Sequence, residues 1–205
     1  MTVSDMNQAK NRAKAPVKNK TATGQIRIIA GKHRGRKLPV LMAEGLRPTT
    51  DRVKETVFNW LMPYINEANC LDCFAGSGGL GFEAMSRGAK SLTLVELNKA
   101  AAQQLKNNKA LLKIDNIEVI QQSALDFLQA NQQKFSLVFI DPPFRKGLAQ
   151  QAAELLVTNG LDDNALIYVE MEADTNAQVM PSHWQLLKEK VAGQVVYRLY
   201  QNSVS

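Results

Sequence analysis

Two cysteines, two histidines and no long apolar run remove several classes of protein at once. With Cys70 and Cys73 as the whole thiol complement, a disulfide scaffold is excluded. A zinc site would need His33 or His183, both far from the C-x-x-C pair in sequence, so no metal is expected. The pair reads instead as two buried strand cysteines, with a redox pair as the alternative. No stretch approaches the ~18 apolar residues that cross a bilayer, and the first twenty residues lack the apolar segment of a secretion signal. The expectation is a cytoplasmic monomer. Internal repeats and an inter-domain linker are also missing, and roughly 180 residues beyond a polar tail suffice for one core without covalent staples. Residues 1–23 read as a basic disordered tail and residues 24–205 as a single domain.

Acidic residues are scarce at the N-terminal end. Residues 1–54 carry thirteen Lys and Arg against three acids, a net of +10, which leaves −4 for the remainder of a chain whose total is +6. A basic arm ahead of a mildly acidic body suits phosphate contacts that raise affinity without reading sequence. Within the arm, Ile26 and Ile28 face Leu38 and Val40 across a Gly31-Lys32-His33 turn. That pattern predicts a hairpin whose tip projects Lys32, Arg34, Arg36 and Lys37 toward RNA. Solvation alone accounts equally well for the charge of the first 23 residues.

What is present is concentrated in two blocks. Asp141-Pro142-Pro143-Phe144 follows the apolar run Phe135 to Ile140, placing a carboxylate, a rigid turn and an aromatic face at the end of one strand. Proline has no N–H to donate, so the carboxylate of Asp141 and the carbonyl of Pro142 can both accept from one exocyclic NH2, with Phe144 stacked on the base. Upstream, Cys70 to Phe74 reads as a short buried strand that runs into Ala75-Gly76-Ser77-Gly78-Gly79-Leu80-Gly81 and a helix. Gly76, Gly78 and Gly81 satisfy G-x-G-x-x-G between strand and helix, and Glu96 ends the next strand twenty positions after Gly76, where a ribose diol is gripped. Asp72, just ahead of the loop, disfavours a pyrophosphate and could accept from the cationic amino-acid part of S-adenosylmethionine. A NAD-dependent oxidoreductase is therefore the weaker reading.

These blocks resemble the class I amino-methyltransferases that act on nucleic-acid bases. More narrowly, Arg27-Ile28-Ile29-Ala30-Gly31, Arg34 to Leu38 and Arg47 to Glu55, in this order with the two motifs, are similar to the RsmD family of bacterial small-subunit ribosomal RNA guanine-N2 methyltransferases. The resemblance covers about residues 25 to 200. It implies S-adenosylmethionine as cofactor, held by Asp72, Phe74, Ala75, Gly76, Ser77, Gly78, Gly81, Glu96, Asn98, Ser123 and Ala124. It implies Asp141, Pro142, Pro143 and Phe144 as the catalytic turn, and RNA contacts from Lys32, Arg34, Arg36, Lys37 and Arg47, with a small ribosomal subunit, partly or fully assembled, as partner. Asn98 could equally cap the helix that follows. At Ser123 the family commonly presents Asp or Asn to the adenine, and this chain has a serine. A DNA adenine-N6 methyltransferase would share Asp-Pro-Pro-Phe but usually adds a target-recognition domain, and a non-catalytic RNA-binding protein would not need Asp141.

The expected fold is α/β: a Rossmann-like, mostly parallel seven-stranded sheet with an antiparallel C-terminal strand and an N-terminal basic hairpin. Strands are expected at 69–74, 91–96, 117–121, 135–140 and 164–171, and helices near 79–88, 98–113, 124–132 and 146–158. Thr50 can cap a further helix that buries Val53, Val57, Trp60 and Leu61 and stops at Pro63. Trp184 to Val191 and Gln194 to Tyr200 form a closing hairpin around Ala192-Gly193.

Overall fold

The computed structural model describes residues 23–41, 51–144, 146–175 and 179–203. Thr50, Arg47 and residues 1–22 of the basic tail, each given a role above, lie outside the described residues. A two-stranded antiparallel sheet opens the chain: β1 (Thr23–Arg27) pairs with β2 (Lys37–Leu41), with Ile26 opposite Leu38. The helix α1 (Asp51–Leu61) follows, then β3 (Asn69–Asp72), α2 (Gly79–Ser86), β4 (Ser91–Glu96), α3 (Lys99–Leu112), β5 (Ile117–Gln121), α4 (Ala124–Ala130), β6 (Phe135–Ile140), α5 (Leu148–Asn159), β7 (Leu161–Glu172), β8 (Trp184–Ala192) and β9 (Val195–Asn202).

The last seven strands form one sheet in the order β5-β4-β3-β6-β7-β9-β8. β5, β4, β3, β6 and β7 run parallel, and β9 is antiparallel to both β7 and β8. The run Leu92-Thr93-Leu94-Val95 in β4 and Leu137-Val138-Phe139-Ile140 in β6 is buried without a break, as strands covered on both faces require. On one face Leu94, Phe139, Tyr168 and Tyr197 of the sheet cluster with Phe58 of α1, Phe82 of α2, Leu105 of α3 and the apolar residues of the N-terminal hairpin. On the other, Val138, Ile140 and Val169 cluster with Leu128 of α4 and with Ala152 and Leu156 of α5.

Local chemistry explains the boundaries that differ from the sequence reading. β3 ends at Asp72 because the chain turns into the glycine loop. α2 stops at Ser86, and Gly88 takes φ 106°, a left-handed value that releases the chain toward β4. β7 begins three residues earlier than expected: Phe135 pairs with Leu161, the register then shifts, and Leu137 pairs with Leu166. A bulge at Asp162-Asp163-Asn164, with Asn164 at φ 62°, accommodates the polar residues between the two registers. Cys70 and Cys73 are free thiols, both buried; burial pushes the Cys70 thiol up to about 12 and holds the Cys73 thiol well above the ordinary thiol range, so they are core residues and not a redox pair.

The N-terminal hairpin is docked on the helices through its backbone, while the side chains of Lys32, Arg34, Arg36 and Lys37 stay exposed as the sequence predicts. Its connecting loop lies against the C-terminal end of α2, where Gly31 (φ 79°) packs so closely that a Cβ there would sit 1.8 Å from the Ser86 carbonyl oxygen. Lys32 N–H donates to that carbonyl (2.7 Å) and His33 N–H to Ser86 Oγ (2.9 Å). The fully buried Glu83 accepts from Ile29 N–H (2.8 Å), Ala30 N–H (3.0 Å) and the Arg87 guanidinium (2.7 Å). Lys54 of α1 buries its ammonium against the Arg27 carbonyl (2.7 Å), with Asp51 at 3.5 Å. Asn108 of α3 donates to the Pro39 carbonyl (3.0 Å). Backbone groups that would otherwise be stranded between layers are thus satisfied by four side chains from three helices.

Candidate active site

Parallel strands on either side of β3 deliver their C-terminal ends to one edge of the sheet. Because the chain order reverses between β3 and β6, the two loops leaving that edge diverge and open a crevice between them. The glycine loop leaves β3 and Asp141-Pro142-Pro143-Phe144 leaves β6. Asp72 is level with Phe139, and Cys73 N–H donates to the Phe139 carbonyl (3.0 Å). Ala75 N–H donates to the Val95 carbonyl (2.9 Å), which fastens the loop to β4 as well.

Glu96, the last residue of β4, reaches the glycine loop. Its Oε2 accepts from Gly76 N–H (2.8 Å) and its Oε1 from Asn98 N–H (2.7 Å), and the residue keeps an exposed edge. Asn98 acts as the N-cap of α3, with Oδ1 accepting from Ala100 N–H (2.9 Å) and Ala101 N–H (3.0 Å). Of its two sequence readings the cap is therefore realised. Gly78 has φ 77° and lies against Phe82 and Leu105. Gly81 lets α2 approach β4, since a Cβ there would lie 2.6 Å from Leu94 Cδ2. Phe74, Gly76 and Ser77 are half-buried and Ala75 is buried. Ser123 precedes α4 without a side-chain capping bond, and Ala124 is buried beside it.

Asp72 is 2% exposed and accepts from the backbone N–H groups of Gly81 and Phe74, so its carboxylate braces the loop from beneath. Burial is the largest influence on it and raises its pKa to about 7, opposed by those two hydrogen bonds; the Glu96 charge adds a small upward push. The arrangement bears on cofactor chemistry. The N–H groups of Gly76 and Gly81, which would otherwise cradle a pyrophosphate, are already held by the protein's own carboxylates Glu96 and Asp72. The loop suits a nucleoside without phosphate.

On the far side of the crevice, Pro142 is buried and Phe144 is 40% exposed. Asp141 is half-buried, and it contributes to holding the nearby Tyr168 hydroxyl far above the usual phenol range, behind burial and Glu170. A cleft of about 630 Å³ extends from the turn over the ends of β7 and β9, bordered by Pro142, Phe144, the start of α5 at Gly147 and Leu148, and Glu170. The Asp-Pro-Pro-Phe turn is thus a partition, with the glycine loop on one side and this cleft on the other.

Similarity to known proteins agrees with the geometry. A family model described as conserved hypothetical protein 95 matches residues 26–201. A Haemophilus influenzae protein named ribosomal RNA small subunit methyltransferase D is 59% identical over 191 residues, 91% of this chain and 98% of the relative. The chain is a member of the RsmD family. A solved Escherichia coli structure superposes with a TM-score of 0.81 at 55% identity, covering 89% of this chain and all of that one. A further neighbour, the M. jannaschii tRNA m1G37 methyltransferase, shares only the fold, at TM-score 0.67 and 17% identity over 83% of this chain and 55% of its own. The fold is that of the class I methyltransferases.

Sequence reading missed Tyr168, Glu170, Glu83 and Lys54. Tyr168 Oη donates to Glu170 Oε1 (2.6 Å) beneath the cleft. The available signal was an ionisable residue inside an apolar run, since Glu170 sits in Ala165 to Met171 and Glu83 between Phe82 and Ala84. Such residues are seldom buried without a partner. Of the RNA-directed residues, Lys32, Arg34, Arg36 and Lys37 are exposed, and Arg36 donates to the Leu111 carbonyl (3.1 Å) at the end of α3. Arg47 lies outside the described residues. No group of three or more His, Cys, Asp or Glu among the described residues is arranged to hold a metal, and no helix among them is long and apolar enough to cross a membrane.

Proposed function

We propose that this protein methylates the exocyclic N2 amino group of a guanine in small-subunit ribosomal RNA, with S-adenosylmethionine as donor. The observation that supports the reading is the register of β3 and β6, which sets the glycine loop and the Asp-Pro-Pro-Phe turn on adjacent strand ends. The name of the Haemophilus influenzae relative supports ribosomal RNA as the substrate.

Glu96, whose carboxylate keeps an exposed edge beside Gly76, would hold the ribose hydroxyls, and the open backbone at Gly76 to Gly78 would admit the nucleoside without a Cβ in its path. When bound, S-adenosylmethionine supplies a methyl group activated by its sulfonium. The chain's own task is then alignment and charge stabilisation. An aromatic amine is a poor nucleophile because its lone pair is conjugated into the ring. Asp141 and the Pro142 carbonyl, both accepting from the NH2, favour a pyramidal nitrogen and stabilise the positive charge that develops as the N–C bond forms. The proton leaves afterwards to solvent, so Asp141 need not be a strong base. Phe144, exposed at the cleft mouth, would stack on a base that has left its helix.

Nucleoside mapping of ribosomal RNA from cells with and without the protein tests this reading. Loss of one N2-methylguanine from the small-subunit RNA is expected, and an unchanged modification profile overturns it.

A further inference from the structure

Asp141 is not the only carboxylate at this edge of the sheet. Ile140 pairs with Val169 on parallel strands about 4.8 Å apart, so the next residues, Asp141 just beyond the end of β6 and Glu170 on β7, follow neighbouring positions. Glu170 borders the cleft beyond the Asp-Pro-Pro-Phe turn, yet it is only 7% exposed. Its position is fixed from below, because the buried Tyr168 hydroxyl donates to Oε1 at 2.6 Å. Tyr168 is in turn locked by Phe139, whose ring lies 6.2 Å away edge-on. A carboxylate kept this deep costs solvation that one hydroxyl only partly restores, and burial raises its pKa accordingly. The fold retains it where an aliphatic residue would continue the strand's apolar run.

We propose that Glu170 is the specificity-determining residue that reads the Watson–Crick edge of the target base, accepting from guanine N1–H while Asp141 and the Pro142 carbonyl accept from N2. The inference rests on the guanine-N2 reading above. Guanine presents two adjacent donors on that edge, N1–H and N2–H2, which two neighbouring acceptors match. A purine that carries the amino group but has a bare N1 would set a lone pair against the carboxylate. A site built to accept a hydrogen bond rejects a partner lacking the donor far more strongly than an apolar pocket rejects a misfit. Tyr168, by holding Oε1, is a positioning residue for Glu170 and touches no substrate.

The test uses the full-length protein with small-subunit RNA or particles in which the target guanine is replaced by 2,6-diaminopurine, which keeps the 2-amino group and lacks N1–H. Wild type is expected to prefer guanine by about 10- to 100-fold in kcat/KM. Glu170→Gln, whose amide can donate to a bare N1 or accept from N1–H, should bring the two substrates within a few-fold of each other while cofactor affinity stays unchanged. Equal wild-type rates on guanine and diaminopurine overturn the proposal whatever the variant does, and so does a Glu170→Gln protein that stays active with the wild-type preference. Should Glu170→Gln not fold, Tyr168→Phe, which frees the carboxylate to rotate, is expected to lower the preference several-fold, and an unchanged preference counts against the proposal. Methylation of guanine at an atom other than N2, read from the product nucleoside, overturns the proposed function itself and with it this inference; normal N2 product with unchanged selectivity overturns this inference alone.

Discussion

Asp72, Glu96 and Asp141 sit within one sheet edge, and their surroundings give them different work. Asp72 is sealed beneath the glycine loop, and its carboxyl rises on folding from 3.8 to about 7. An acid whose pKa rises on folding holds its proton more tightly in the native chain. Its contribution to stability is therefore fully present below the unfolded value near 4 and is lost as pH climbs toward 7. Asp72→Asn, which cannot ionise, should gain in melting temperature relative to wild type as pH rises across that window and hold a constant difference above it; a difference that does not change with pH would show that Asp72 is ionised throughout. Glu96 is partly open. Glu96→Ala should weaken S-adenosylmethionine binding by about 1 to 3 kcal/mol, measured by calorimetry, through loss of ribose hydrogen bonds. Asp141→Ala should fold and bind cofactor while methyl transfer falls by about 10² to 10³, the usual cost of removing one preorganised electrostatic partner. Single-turnover incorporation of tritiated methyl into RNA measures it, and near-wild-type rates would place the chemistry elsewhere in the crevice.

At the scale of elements, the N-terminal hairpin is held by contacts that reach across more than fifty residues of sequence. Glu83 lies 54 positions from Ile29 and 53 from Ala30, so α2 must be formed and docked before the hairpin's N–H groups find their acceptor. Arg87 ties the same carboxylate to α1 by lying 4.9 Å over the Phe58 ring. Glu83→Ala would strand two backbone donors and one guanidinium, a loss of about 3 kcal/mol. The urea midpoint should fall, and hydrogen exchange should rise first at Ile29, Ala30 and Lys32. Uniform exchange across the sheet would mean that the hairpin is not a separate unit.

Across the whole molecule, charge and chemistry occupy different parts. The exposed cations Lys32, Arg34, Arg36 and Lys37 belong to the docked hairpin, which covers the helices on one face, whereas the crevice opens at the sheet's edge. If the hairpin grips the RNA backbone, replacing Arg34, Arg36 and Lys37 by alanine should leave cofactor affinity intact and lower the slope of log affinity against log salt by about 2. An unchanged slope would mean that these cations touch no phosphate.

Much of this was written in local sequence. The period-2 and helical patterns located the strands and helices within a few residues, because a strand covered on both faces must be apolar throughout and a loop that turns tightly must use glycine. Glycine spacing and the acid twenty positions on marked the loop, and Asp-Pro-Pro-Phe marked the turn. Tertiary structure alone decided which partner each polar group meets. It turned Asp72 inward onto Gly81 and Phe74, made Asn98 a cap, laid the basic hairpin on α2 and set Glu170 beside Asp141. The physical reason is that apolar burial is non-directional and so readable from composition along the chain, whereas a hydrogen bond needs a donor and an acceptor at one point in space, and strand register brings those together from distant positions.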